Sequence, residues 1–320
     1  MLNLHPNVIC PSEEPFAVFF YERYKNKTQW TDAELLKFID EFWLIAEKDL
    51  NLFFTSKQNL FNELVKHKDA LNYRLLCDLI YLQFFEPKPK NDIHTILDKQ
   101  IKYFFYLKTL VKLYPDSKYI ILTRDPRVNA ARKKSRKLNA GQNPLYLAAL
   151  WNNTYRNILY LEKKNKAVLI VKYEDLVLAP EKVLENVCSF IQVPYMDSLI
   201  ITEGAYETFL NIQKEKVDKD HINYLTNFQS SLFGKIDKEK IHLKEDEINP
   251  ELNDKIVKLS KPLLEKLGYD IKPMHSAQSI RFSLQDRYHI LMAYLYRPLL
   301  IVFYKNIPLW LKLVIKRIRS

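Results

Sequence analysis

Apolar and polar positions alternate along this chain with two different periods. Between residues 31 and 46 the apolar residues recur at helical spacing: Leu35, Phe38, Ile39, Phe42, Trp43 and Ala46. Thr31-Asp32-Ala33-Glu34 precedes them, a hydroxyl followed three residues later by a carboxylate. That is a capping box, and it marks the start of an amphipathic helix. FEPKPKND, 85–92, is a polar break with two prolines. ILDKQIKYFFYLKTLVKL, 96–113, predicts a further helix, after which YPDS turns the chain.

The period then shortens. KYIILT, 118–123, is a short apolar run rich in β-branched residues, as a buried strand requires. Asp125 is placed as an N-cap and Pro126 as the first residue of the next helix. Residues 144–164 predict a long helix carrying Leu147, Leu150, Trp151, Ile158 and Leu161. AVLIV, 167–171, predicts a second buried strand, and Pro180-Glu181 opens a helix over EKVLENVCSFI. Strand, helices, strand, helix is the order of a parallel α/β protein.

Residues 211–248 are polar, lysine-rich and weakly periodic, which predicts loop with short helices. In NPELNDKIVKLSKPLLEKLG, Asn249 caps a helix, Pro250 starts it, Pro262 should kink it and Gly268 ends it. The tail, 288–320, mixes aromatic and aliphatic residues with arginine and lysine, and Arg297-Pro298 should interrupt it. Its apolar runs are shorter than the roughly 20 residues a membrane span needs. The segment fits either a basic, interfacial membrane anchor or a pair of helices packed on the preceding domain.

With 320 residues the chain has room for one large α/β domain or two smaller ones. Hydrophobic residues make up 48% and charged residues 27%, which supports a true core and excludes disorder throughout. The net charge of +11 and pI of 9.2 suit a polyanion, an anionic lipid or an anionic cofactor as partner, or simply a solvated basic surface. The three cysteines, Cys10, Cys77 and Cys188, lie far apart without disulfide or zinc spacing, which predicts a reducing compartment. The seven histidines form no close pair, so no metal is expected. MLNLHPNVIC has neither a basic start nor a long apolar segment, so no signal peptide is predicted. A cytoplasmic location follows, with membrane association through the tail left open. Glycine occurs only at 141, 204, 234 and 268, where average usage would supply about five times as many. None is followed by Lys-Ser, Ser-Thr or Thr-Thr, so no glycine-rich phosphate loop is present in these residues.

Positive charge concentrates in ILTRDPRVNAARKKSRKLN, 121–139. Arg124 falls at the carboxyl end of a strand, just before a helix N-terminus. In open parallel sheets ligands bind in that crevice, and the helix start adds partial positive charge. At 100° per residue, Val128, Ala131, Ser135 and Leu138 turn toward the sheet, and Arg132 sits at the edge of that face. Arg124, Arg132 and Ser135 would then converge on one small anion, which a guanidinium grips with two bonds when the anion is a phosphate. The plainer alternative is that Arg124 pairs with Asp125 or Asp175, while Lys133, Lys134, Arg136 and Lys137 form a solvated face. The helix alone favours that alternative. Nucleic-acid backbone would also suit the charge. The cations are not interleaved with stacking aromatics, however, so no nucleic-acid partner is expected.

YPDSKYIILTRDPR, followed about 40 residues later by VKYEDLVLAPEKVLENVCSFIQVP, resembles the PAPS-dependent sulfotransferase family. LNLHPNVICPSEEP looks like the segment after that family's first phosphate loop, and more closely like its tyrosylprotein and bacterial branches. LDKQIKYFFYLKTLVKLYPDSKYIIL looks like the family's D-K-x-P helix leading into the RDP strand. KLSKPLLEKLGYD matches its usual last helix. Together these segments span residues 3–270.

The resemblance implies a P-loop NTPase-like parallel sheet of five strands flanked by helices. It places a sulfotransferase-like α/β domain over 1–272 and a basic, apolar helical extension over 273–320. It implies transfer of a sulfuryl group from PAPS, 3′-phosphoadenosine 5′-phosphosulfate, to a hydroxyl or amine. Protein tyrosine, saccharide, lipid and small molecules all remain open as acceptors. Arg124 would hold the 3′-phosphate. The family's serine eight residues on is Arg132 here, with Ser135 three residues later, and Tyr173 matches the tyrosine near the adenine. Glu14, or its neighbour Glu13, matches the general base of the tyrosylprotein branch. Lys99 matches the lysine that steadies charge on the bridging oxygen, although the proline two residues on is Ile101 here. Against these roles, Glu13-Glu14 would also serve as an acidic pair leading a helix, and Lys99 as a surface lysine paired with Asp98. No metal is implied, because this chemistry needs alignment and charge stabilisation above all.

The family's P-R-S-G-T-T loop and first strand should lie just before residue 1. Either the chain is truncated or its start misassigned, or it is a remnant that no longer turns over. Truncation is the expectation, since Glu14, Lys99 and Arg124 would otherwise have drifted. The alternatives from other classes are an inactive sulfotransferase-like binding protein and a basic nucleic-acid binder.

Overall fold

The structure, a computed structural model, describes residues 1–11, 15–53, 55–84, 92–135, 143–201, 236, 238–241, 249–271, 280–308, 310–311 and 314. The chain divides into two compact units. The first comprises Met1–Asp116, Leu184–Lys235 and Ile307–Ser320, and the second Ser117–Val183 and Ile236–Asn306.

The first unit begins with a 3-10 turn, Leu2–Leu4, and a short strand, β1 (Val8–Ile9). Five helices follow: α1 (Phe16–Phe19), α2 (Tyr21–Tyr24), α3 (Asp32–Phe53), α4 (Lys57–Lys66) and α5 (Tyr73–Tyr81). The capping box forms as predicted: Thr31 Oγ1 accepts from the Glu34 N–H at 3.2 Å, and Glu34 Oε2 accepts from the Thr31 N–H at 2.9 Å. The inner face of α3 then buries Leu35, Phe38, Ile39 and Phe42 against Phe16, Phe20, Leu60, Leu64 and Leu76. Aromatic rings fill much of this core, with Phe16 edge-on to Phe42 at 5.2 Å and Tyr24 stacked on Trp30 at 5.2 Å.

The helix predicted over 96–113 is not a single element. Strand β2 (Thr95–Ile96) pairs in parallel with β1, Val8 opposite Thr95 and Ile9 opposite Ile96. A 3-10 turn follows at Ile101–Phe105, and only α6 (Leu107–Leu113) is α-helical. The Asp98 carboxylate accepts from Gln100 Nε2 at 2.8 Å, and Gln100 itself is extended, with φ −136° and ψ 122°. Side chains that bond locally in this way compete with the helical backbone. The apolar residues read as one helical face are shared between a strand, a turn and a short helix.

The second unit holds β3 (Tyr119–Thr123) and, in α7 (Pro126–Ser135), the predicted basic helix. It continues through α8 (Pro144–Lys163), β4 (Val168–Lys172) and α9 (Tyr173–Leu178). α10 (Pro180–Ile191) begins at the predicted proline, with its residues from Leu184 onward belonging to the first unit. β3 and β4 are parallel, in register from Tyr119–Val168 to Thr123–Lys172. The described strands therefore form two parallel pairs within a mixed α/β protein.

α11 (Pro250–Lys266) is capped by Asn249, whose Oδ1 accepts from the Leu252 N–H at 2.8 Å, and it runs through Pro262 as one element. Gly268 has φ 65°, which only glycine adopts without strain. With Gly268 N–H bonded to the Glu265 carbonyl and Tyr269 N–H to the Leu264 carbonyl, it closes a Schellman motif. α12 (Leu284–Asn306) packs on the cluster formed by α7, α8 and α11, where Ile290 and Phe282 meet Ala130, Ala131, Leu145, Ala148 and Ile256. The predicted interruption at Arg297-Pro298 does not end this helix, since proline removes one backbone bond and the rest of the ladder continues. Among the described residues no helix is long and apolar enough to cross a membrane. Apart from 236 and a 3-10 turn at Lys238–Ile241, residues 211–248 lie outside the described residues.

Candidate functional site

In the second unit the register of β3 and β4 sets the geometry. Thr123 and Lys172 are paired, so the next residues, Arg124 and Tyr173, leave the two strands side by side. The Arg124 guanidinium carbon lies 4.6 Å from the centre of the Tyr173 ring. Stacking of this kind holds a guanidinium flat.

Asp125 caps α7, its Oδ1 accepting from the Arg127 N–H at 2.8 Å. Both of its oxygens also accept from the Arg127 guanidinium, with Nη2 to Oδ2 at 2.6 Å. The Asp125 carboxylate is thus committed to the helix start and to Arg127. Glu174 accepts from the Asp125 N–H at 2.8 Å and, through its other oxygen, from the Tyr269 hydroxyl at 3.1 Å. The Schellman motif after α11 delivers Tyr269 to this place. Burial and the neighbouring Glu174 carboxylate hold the Tyr269 phenol protonated, its pKa well above the ordinary tyrosine range. Lys172 lies over the Tyr269 ring at 5.0 Å and donates to the Gly268 carbonyl at 3.4 Å. Glu174 and Tyr269 therefore fix the turn that carries Arg124. Glu174 stands in the KYEDL stretch that drew attention to Tyr173, but its partner is 95 residues away and has no local signal.

Arg132 and Ser135 are on α7, whose backbone follows the predicted helix; their side chains lie outside the described residues. Glu13 and Glu14 also lie outside them.

Lys99 belongs to the first unit. The residue is exposed, yet the atoms crowded around its ammonium desolvate it and lower its pKa, against an opposing effect from the Cys10 thiol. The adjacent Asp98 turns its carboxylate to other partners. Oδ2 accepts hydrogen bonds from the Tyr81 and Tyr103 hydroxyls, and Oδ1 accepts from Gln100. Burial raises the Asp98 pKa, although these three donors oppose the shift. The segment bearing Lys99 is thereby pinned to α5 on one side and to the following turn on the other.

Residues 1–9 are held by a feature the sequence did not reveal. His5 is fully buried. Its Nδ1 accepts from the Asn7 N–H at 3.0 Å, so its Nε2–H donates to the Pro194 carbonyl at 2.9 Å. That histidine is a structural pin across 189 residues of chain. Among the described residues no three His, Cys, Asp or Glu side chains gather as a metal site.

A family model described as "Sulfotransferase family" matches residues 1–197, a span that holds Lys99, Arg124, Tyr173 and Glu174 but not Tyr269. The curated "Protein-tyrosine sulfotransferase 1" of Danio rerio is 26% identical over 280 residues, covering 84% of this chain and 67% of that protein. Two solved structures align with most of this chain. The sulfotransferase domain from the curacin biosynthetic pathway is 17% identical with a TM-score of 0.48, covering 85% of this chain and 93% of that one. The sulfotransferase domain from the Synechococcus PCC 7002 olefin synthase is 19% identical with a TM-score of 0.47, covering 84% and 88%.

Proposed function

The chain belongs to the sulfotransferase family, and from that premise we propose that it moves a sulfuryl group from PAPS to a hydroxyl acceptor. The observation that carries this reading is the Arg124 guanidinium stacked on Tyr173 at the strand ends, beside the N-terminus of α7. A fixed, planar cation next to a helix start suits a phosphate monoester, and an aromatic ring beside it suits a purine. Those are the two features of the 3′-phosphoadenosine end of PAPS.

When bound, PAPS supplies the activated sulfuryl group. Arg124 binds the 3′-phosphate and Tyr173 orients both that guanidinium and the adenine. Arg132 and Ser135 add donors from α7. Lys99 provides positive charge for the developing negative charge of transfer. Glu14, or Glu13, accepts the acceptor's proton. The acceptor is a hydroxyl compound such as protein tyrosine, in keeping with the name of the Danio rerio relative.

Calorimetric titration with adenosine 3′,5′-bisphosphate and with adenosine 5′-monophosphate tests this. The bisphosphate should bind saturably and more tightly than the monophosphate. Arg124→Ala should weaken the bisphosphate by about 10- to 100-fold, the worth of a charge-assisted bond to phosphate. It should leave the monophosphate unaffected. Equal losses for both ligands, or no loss, would overturn the assignment.

A further inference from the structure

α12 carries two apolar faces. Its inner face is accounted for: Ala293 is buried, Ile290 packs on the α7–α8–α11 cluster, and Tyr294 lies under Arg156 at 4.6 Å. Its one carboxylate, Asp286, is bonded to Lys255 at 2.9 Å. The outer face is a stripe of large side chains. Leu284, Tyr288, Leu291, Leu295 and Leu299 follow one another every three or four residues, with Met292 beside them, and their exposures run from 37 to 85%. At 1.5 Å per residue the stripe is about 22 Å long. Apolar side chains at this spacing share one helix face, and a contiguous exposed patch of this kind marks a contact surface.

We infer that this stripe lies on an anionic lipid surface. Charge identifies the occupant. Residues 281–306 contain three arginines and one lysine but only the carboxylate of Asp286, which Lys255 already neutralises. Arg281 and Arg287 are exposed at the start of the stripe. A second copy of the chain would set these cations against themselves, because a two-fold contact meets its own surface. A negatively charged headgroup layer takes the cations while the leucines enter the acyl boundary, as for helices that lie in the membrane plane. The contact is peripheral, since no described helix is long and apolar enough to span. It stands independently of the PAPS reading, because it uses none of those residues.

The test is co-sedimentation of the full chain with phosphatidylcholine vesicles, with and without phosphatidylserine, at low and physiological salt. Binding should require phosphatidylserine and weaken with salt. Leu291→Glu/Leu295→Glu should reduce partition by at least about tenfold, with a circular-dichroism melt confirming that it folds. Arg281→Gln/Arg287→Gln, which removes only exposed charge, should reduce it several-fold and flatten the salt dependence. No partition, equal partition onto phosphatidylcholine alone, or unaltered binding by a folded leucine variant would overturn the inference. So would a lipid-free dimer in light scattering that the leucine variant converts to monomer.

Discussion

Replacing Asp98 probes the segment that carries Lys99. Asp98→Ala removes the acceptor for the Tyr81 and Tyr103 hydroxyls and for Gln100 Nε2. A buried donor left without a partner costs about 1–3 kcal/mol. The Tyr81 and Tyr103 hydroxyls lie 3.2 Å apart, so one can donate to the other once the carboxylate is gone, and the cost falls on the hydroxyl proton left over. The expected loss is therefore about 1–3 kcal/mol, a sizeable fraction of the roughly 5–15 kcal/mol typical of a folded domain. Asp98→Asn keeps one oxygen acceptor but sets an amide donor against either the phenols or Gln100, and should cost about 1–2 kcal/mol. Urea denaturation at several pH values is the assay. Burial raises the Asp98 pKa above its ordinary 3.8, so the native state binds this proton more tightly than the unfolded chain does. That contribution is fully present below 3.8 and is lost as pH rises through the raised value. Asp98→Ala should flatten that part of the profile and, by releasing Lys99, lower sulfuryl-transfer turnover more than donor affinity. Stability within about 0.5 kcal/mol of wild type would refute the reasoning, since that is the range of an uninvolved surface site.

Tyr173→Leu should weaken adenosine 3′,5′-bisphosphate binding by about 3- to 10-fold through loss of the cation–π contact, whereas Tyr173→Phe keeps the ring and should stay near wild type in the same titration. Thr31→Ala removes the cap of α3 and should cost about 1 kcal/mol in urea denaturation. The Glu34 carboxyl is held down at about 2, first by its bond to Lys27 and then by those to Thr31. Its stabilising contribution is present above the ordinary 4.5 and is lost as pH falls toward 2, so Glu34→Gln should flatten the acid limb of the stability profile.

Local chemistry made much of this protein legible from its residues in order. The Thr31–Glu34 box, the Asn249 cap and the Gly268 stop act over three or four residues, and all three form as expected. The apolar runs at 118–123 and 167–171 become strands at 119–123 and 168–172, and Asp125-Pro126 starts a helix. Propensity failed where side chains recruited distant partners. The 96–113 stretch has helical periodicity, but Asp98 is claimed by Tyr81 on another helix, and no window along the chain contains both the periodicity and that competitor. His5 and Pro194 are 189 residues apart, and Glu174 and Tyr269 are 95 apart. Such pairs exist only once loop closure has brought the segments together. The RDP and KYEDL segments named Arg124 and Tyr173 separately, whereas the parallel register of Thr123 with Lys172 stacks one on the other. The tail shows the same division. Its composition proclaimed an apolar, basic helix, but a helix that is apolar on two sides has no preferred face in sequence. Only packing against α7, α8 and α11 determined which apolar side chains the fold consumes and which it leaves exposed.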